Sequence, residues 1–143
     1  MMEKEMNNPE DILLTFFKRM HDWEVESFKM VEEKGILNVR DTVREKLTKI
    51  YDEFLSKPGG KYGRLSGPSV GFPPEYDESL EKILNTDNSN PKKIVINTLW
   101  QDPVIKDFQQ EQRYTLSLKN NEWKISKKEI FSSFDEKWEN RVF

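Results

Sequence analysis

The chain has one histidine, and its neighbours do not equip it for catalysis. His21 lies between Met20 and Asp22 in a stretch predicted to be helical. A histidine that acts as a general base needs an acidic side chain to orient it and a cavity for the substrate. Nothing nearby in the sequence supplies both, so we predict that His21 packs on the flank of a helix.

The carboxylates show no spacing that is typical of a catalytic pair or a metal site. The adjacent acids Glu32-Glu33, Asp52-Glu53 and Asp135-Glu136 would point in different directions on a helix. The chain has no cysteine and no His-x-x-x-His, Asp-x-Asp or Glu-x-x-His spacing. The sequence therefore excludes disulfides and thiolate ligands, and it predicts neither a metal nor a cofactor.

A glycine-rich segment, 59–63, is the place to look for a phosphate-binding loop. Such a loop follows a strand and opens a helix that starts with Lys and Ser or Thr. Here a predicted helix precedes the glycines and irregular chain follows them. We therefore interpret residues 58–74, with five of the six glycines and four of the seven prolines, as a long loop. Its Tyr62, Arg64 and Phe72 are candidate contacts for a protein partner, although Tyr62 and Phe72 could equally close one end of the core.

Length and composition predict one domain over residues 1–143. A chain of 143 residues can bury one substantial core but hardly two. Nine Phe, four Trp and four Tyr indicate a packed interior, even though 34% of the residues are charged. Residues 1–7 are expected to be a disordered lead-in.

Charge and hydropathy exclude two classes of partner. The net charge of −3 comes without a basic stripe, so we expect no nucleic acid partner. The longest apolar runs have three residues, so we expect no membrane-spanning segment. The N-terminus lacks the apolar region of a signal peptide, and the chain has no cysteine. Both observations predict a cytoplasmic protein.

Helices are predicted in the first half of the chain. Asn8 can cap a helix whose first position is Pro9, and apolar residues then recur with a 3.6-residue period until Gly35. A second helix is predicted from about Asp41 to Lys57, because its apolar residues form one stripe. A third, short helix is predicted over 75–84.

Three antiparallel strands are predicted in the second half, at 92–101, 112–119 and 122–131. Asn120 and Asn121 suit the two-residue turn between the last two, because Asn tolerates the positive φ that such turns require. This turn fixes a register in which Tyr114 faces Lys127 and Arg113 lies opposite Lys128.

In this register the sheet has an apolar face and a polar face. The apolar face carries Tyr114, Leu116, Leu118, Trp123 and Ile125. The polar face carries Arg113, Lys124 and Lys128 among others. Like charges opposite each other cost stability unless an acid or a partner lies nearby. Glu111 and Glu129 could supply this acid within the chain, and otherwise the polar face is free to meet an acidic patch on another chain.

Together these patterns resemble the nuclear-transport-factor-2-like fold. The resemblance covers about residues 9–131, and it includes the two helices, the connector, the antiparallel strands and Trp123-Lys124-Ile125 after a polar turn. It implies an α+β, cone-shaped fold, with N-terminal helices packed on a curved antiparallel sheet.

The pattern is also similar to the immunity proteins of this fold from bacterial polymorphic toxin systems. The shared features are the helix start at 8–11, the Gly/Pro-rich middle and the strand at 93–100. The resemblance implies a non-enzymatic protein whose partner is a cognate toxin protein. The candidate contacts are then the 58–76 loop with Tyr62, Arg64, Phe72 and Tyr76, and the polar face with Arg113, Lys124 and Lys128.

Two alternatives stay open. Isomerases and dehydratases of this fold use the cone as a cavity, and a small-molecule enzyme or ligand carrier would then use Tyr114 and Asp102. The register places Tyr114 in the core, which favours packing instead. A homodimer that pairs through the polar face is the other alternative.

Overall fold

Two helices form the first half of the computed structural model, which describes residues 8–56, 64, 68 and 70–143. Helix α1 spans Pro9–Lys34 and α2 spans Ile36–Phe54. The Asn8 side chain accepts a hydrogen bond from the backbone N–H of Glu10 at 2.9 Å, which confirms the predicted cap. Gly35, with φ +83°, separates the helices in a conformation that disfavours other residues.

Helix α2 begins five residues earlier than the sequence pattern predicted. Residues 36–40 form the first turn of α2 directly after Gly35, and Val39 in this turn is buried in the core. Packing of this apolar side chain explains the extra turn, because tertiary contacts override weak local preferences. The Trp23 indole donates to the Val43 carbonyl at 3.0 Å and joins the two helices.

The second half of the chain forms one antiparallel sheet in the order β1-β2-β3-β4-β5. The strands are Glu81–Asn90, Lys93–Gln101, Gln109–Lys119, Glu122–Ser132 and Lys137–Asn140. The predicted class, α+β with helices on an antiparallel sheet, is confirmed. In the described ranges no helix is both long and apolar enough to cross a membrane.

The prediction of a short helix at 75–84 is wrong. Residues 81–90 form β1, which pairs with β2 so that Glu81 lies opposite Trp100. The apolar spacing in this stretch fits either a helix or a strand. The strand forms because the edge of β2 offers backbone groups with which residues 81–90 can hydrogen-bond.

The hairpin between β3 and β4 has the predicted turn but only part of the predicted register. Asn120 and Asn121 both have positive φ, at 53° and 65°. The pairing is as predicted from the turn to Leu116 opposite Ile125, and it then shifts by one residue. Ser126 is the extra residue of a β-bulge, so Tyr114 lies opposite Lys128 rather than Lys127.

The bulge also changes the expected partner of Arg113 and the expected face of Lys128. Arg113 lies opposite Glu129, so the predicted like-charge pair with Lys128 does not exist. Lys128 points into the molecule, where it is only 4% exposed, and its assignment to the polar face is wrong. An extra residue on one strand exchanges the faces of all residues beyond it.

The core lies between the helices and the inner face of the sheet. Phe16 and Phe17 of α1 contact Tyr76, Tyr114 and the C-terminal residue Phe143 through tilted or edge-on ring pairs. Phe143 is 2% exposed, so its side chain is part of the core. Trp123 packs against this core from a partly buried position.

We expect Phe17→Ala to lower the free energy of unfolding by about 3–5 kcal/mol, because it removes a fully buried ring. Phe134→Ala is the control, since Phe134 is 95% exposed, and its effect should stay within about 0.5 kcal/mol. Urea denaturation measures both. Equal effects of the two substitutions would contradict the described core.

Candidate partner-binding site and the polar cluster beneath it

A buried carboxylate on α1 anchors one end of the molecule. Glu24 is only 2% exposed. Its oxygens accept hydrogen bonds from the Arg64 guanidinium at 2.9 Å and from the backbone N–H groups of Glu75 and Tyr76 at 3.1 and 2.8 Å. Glu24 therefore holds the segment before β1 against the helix.

Arg64 lies in the interior and joins three parts of the chain. It donates to Glu24 on α1 and to the Phe143 carbonyl at 3.2 Å, and its guanidinium lies 5.0 Å from the centre of the Trp23 ring. Burial, the largest single effect, lowers the pKa of Arg64, but Glu24, Tyr76 and Glu75 together outweigh it and the pKa is raised. Arg64, a predicted partner contact, is thus engaged inside the chain.

Lys128 and Tyr76 continue this cluster. The Lys128 ammonium donates to the Tyr76 hydroxyl at 3.0 Å and lies 3.7 Å from the Glu75 carboxylate. The Tyr76 hydroxyl in turn donates to the Phe143 carbonyl at 2.8 Å. Burial lowers the pKa of Lys128, against the pull of the Glu75 and Glu81 carboxylates, and burial raises the pKa of Tyr76 well above its usual value. Lys128 and Tyr76, both predicted as partner contacts, are therefore buried and stabilise the fold.

His21 also has a structural partner. Its ring nitrogen Nδ1 lies 2.8 Å from the Tyr76 carbonyl, to which it donates, and the residue is half-buried. The prediction that His21 packs on the flank of a helix is confirmed.

The two residues proposed for cavity chemistry do not form a pair. The fully buried Tyr114 donates its hydroxyl to the Gln112 side chain at 3.0 Å. One oxygen of Asp102 accepts from the backbone N–H groups of Val104 and Ile105 at 2.8 and 2.7 Å. Asp102 therefore orders the β2–β3 loop, and Tyr114 fills the core.

A buried acid that the sequence did not reveal lies closer to Tyr114. Glu81 accepts from the Thr98 hydroxyl at 2.6 Å, and burial raises its pKa. No motif marks Glu81, because only the pairing of β1 with β2 turns it inward. Its side chain lines neither of the two clefts described below, so those clefts do not bring Glu81 and Tyr114 to a substrate.

Two clefts open above this cluster, on either side of Glu75 and Trp100. One has a volume of about 390 Å³ and is lined by Phe108, Gln112 and Arg141 among others. The other, about 320 Å³, lies between Pro73-Pro74 and the loop 102–105. Sequence reasoning missed this surface. The sequence feature that could have indicated this surface is Val104-Ile105. These two apolar residues lie in a turn-rich loop, where no helix or strand would bury them.

The polar face of the sheet holds two more predicted contacts, and both are engaged within the chain. Arg113 forms two hydrogen bonds with Glu129, at 2.9 and 3.1 Å, and its guanidinium lies 4.1 Å from the centre of the Trp138 ring. Lys124 donates to the Glu53 carbonyl at 2.6 Å.

The remaining predicted contacts belong to the long loop. Phe72 is 76% exposed, with its ring 5.8 Å from that of Phe28. Tyr62 lies outside the described residues. The predicted contacts that the structure describes therefore do not form one surface, and Phe72 is the most exposed of them.

We expect Glu24→Gln to lower the free energy of unfolding by about 3–5 kcal/mol, because it leaves the buried Arg64 charge without its carboxylate. Glu26→Gln is a matched control on the same helix, since the Glu26–Lys46 pair is solvent-exposed and contributes less than about 1 kcal/mol. Urea denaturation of both variants checks this. Similar losses in the two would show that Glu24 is not an anchor.

A second expectation concerns acid stability. Hydrogen bonds from Arg113 lower the pKa of Glu129, with a smaller opposing effect of burial. The stability that this carboxylate supplies is present above its ordinary pKa and is lost as the pH falls through the lowered value.

Glu129→Gln should therefore be less stable than the parent at neutral pH, and the difference should narrow below about pH 4. Thermal unfolding across this range measures it, with Glu139→Gln as a control that removes an exposed carboxylate from β5. A constant difference at all pH values would refute the role of the Arg113–Glu129 pair.

Comparison with known proteins agrees with this geometry. The profile of the family described as NTF2 fold immunity protein matches residues 8–141. The chain is 34% identical over 134 residues to Immunity protein RhsIA of Dickeya dadantii (strain 3937), covering 94% of this chain and 95% of that relative. No solved structure matches the chain. The chain belongs to the NTF2 fold immunity proteins, a family of immunity proteins and not of enzymes.

Proposed function

We propose that this protein binds a cognate bacterial toxin domain and neutralises it by covering or plugging the active site of the toxin. Membership of the immunity protein family supports this proposal. The observation that carries it is that the polar groups of the buried cluster are bound to one another, whereas apolar side chains are exposed at the surface above them. Such a molecule is suited to contact another protein.

The pairing of the charged and phenolic groups within the buried cluster argues against the alternative of a small-molecule enzyme. A catalytic acid or base must lie within hydrogen-bond reach of the substrate, directly or through one water. Here the carboxylate of Glu24, the ammonium of Lys128 and the hydroxyl of Tyr76 all have partners inside the chain. Drawing one of these groups away from its partner would leave a charge buried and unpaired, at a cost of about 3–5 kcal/mol.

The setting that we propose is a bacterial polymorphic toxin system, with the encounter in the cytoplasm. In such a system the toxin and its immunity protein are encoded together. The gene directly upstream is therefore the source of the partner for experiments.

The test is co-expression of this protein with the toxin domain encoded directly upstream. We expect cells to survive with the parent protein and to die with an empty vector, and we expect the two purified proteins to form a complex on size-exclusion chromatography. Death of the cells in both cases, with no complex, would refute the proposed function. Light scattering on the same samples gives the oligomeric state of the free protein and tests the homodimer alternative.

A further inference from the structure

One end of the sheet differs in charge from the rest of the chain. We define the acidic end as residues 72–81, 102–108 and 133–143, which hold nine acidic and three basic residues. Their net charge is −6, whereas the whole chain has −3, so the remainder is net positive. The end stays net negative even when Lys128 and Arg64, which lie 3.7 and 4.0 Å from Glu75, are included, so it offers an attractive field to a basic partner.

Exposed apolar side chains are concentrated at the same end. Six of the ten large apolar residues that are exposed in the described ranges belong to it. They are Phe72, Val104, Ile105, Phe108, Phe134 and Val142. Isolated exposed apolar residues are ordinary, but a group of them within an acidic rim is typical of a protein interface.

The 320 Å³ cleft, which we name the Trp100 groove, lies within this end. Pro73 and Pro74 form one wall, and Val104 and Ile105 form the other. The Trp100 indole donates to the Glu75 carbonyl at 3.0 Å, so the ring is fixed in place. The groove is thus an ordered apolar slot with an aromatic surface.

Two carboxylates border the Trp100 groove, and none of the described residues that line it is basic. Glu75 has a side chain that is 57% exposed, and its nearest cations, Lys128 and Arg64, lie at 3.7 and 4.0 Å, beyond hydrogen-bond length. Asp102 uses one oxygen for the backbone of its own loop. Both carboxylates can therefore accept hydrogen bonds from a cation in the groove.

We propose that the Trp100 groove binds an arginine side chain of the toxin. A guanidinium can stack on the indole while its N–H groups reach the two carboxylates, whereas an ammonium lacks the planar surface. The apolar walls suit the methylene stem of the same side chain. This inference rests on the proposed function, since it identifies the chemistry by which the partner is held.

The test uses two variants of Ile105 that change shape in a similar way and charge in opposite ways. Ile105 is 58% exposed, so neither variant should alter the fold, and thermal unfolding checks this. Binding to the upstream-encoded toxin domain is measured by calorimetry. We expect Ile105→Lys to weaken binding by about 100-fold, because it repels the arginine, and Ile105→Glu to weaken it by about 10-fold or less.

Glu75→Gln gives an independent readout. It should weaken binding by about 10-fold and reduce the dependence of the affinity on salt, because it removes one charged partner of the arginine. Glu122→Gln, at the exposed turn of the β3–β4 hairpin, is the matched control and should leave the affinity unchanged.

The possible outcomes separate the two proposals. If the parent protein does not bind the toxin domain, the proposed function fails. If the parent binds but Ile105→Lys binds equally well, or Ile105→Glu is the weaker variant, the arginine assignment alone is overturned. It is also overturned if the parent is a dimer on light scattering and either Ile105 variant is a monomer, since the groove then holds a second copy of this chain.

Discussion

The buried carboxylate of Glu24 is the constraint on which the acidic end depends. A carboxylate inside a protein costs several kcal/mol unless donors surround it. Here the donors are Arg64 and the backbone of residues 75–76, a segment that has no helix or strand of its own. Trp100 donates to the carbonyl of this same segment. The position of Trp100 in the groove therefore depends on the hydrogen bonds that tie residues 75–76 to Glu24 on α1.

The bulge at Ser126 supplies the second support. Without the extra residue, Lys128 would lie on the outer face and Arg113 would oppose it. With the bulge, Lys128 lies inside the molecule, where it donates to the Tyr76 hydroxyl and lies near the Glu75 carboxylate. Arg113 forms an ion pair with Glu129 instead. One inserted residue thus removes a like-charge pair from the outer face and completes a polar cluster inside.

The sequence predicted the elements that depend on local chemistry, and it failed where distant contacts decide. The cap at Asn8 and the turn at Asn120-Asn121 are set by neighbouring residues, and both were predicted. Strand β1 and the inward turn of Lys128 depend on a partner strand and on a bulge, for which no residue type is diagnostic. For the same reason, Glu24 could not be recognised as an anchor, since its partners lie 40 or more residues away.

The loop that forms one wall of the groove is ordered, although its apolar side chains face solvent. The Gln101 side-chain amide donates to the carbonyls of Ile105 and Lys106 at 3.3 and 3.0 Å, and Asp102 accepts from the opposite direction. These hydrogen bonds fix the backbone of the loop. The side chains of Val104 and Ile105 nevertheless stay exposed. Stability of the free protein does not explain an ordered loop that exposes two apolar residues. The proposed binding of the toxin at the Trp100 groove would account for it, because a loop that is already fixed loses little conformational entropy when the partner arrives.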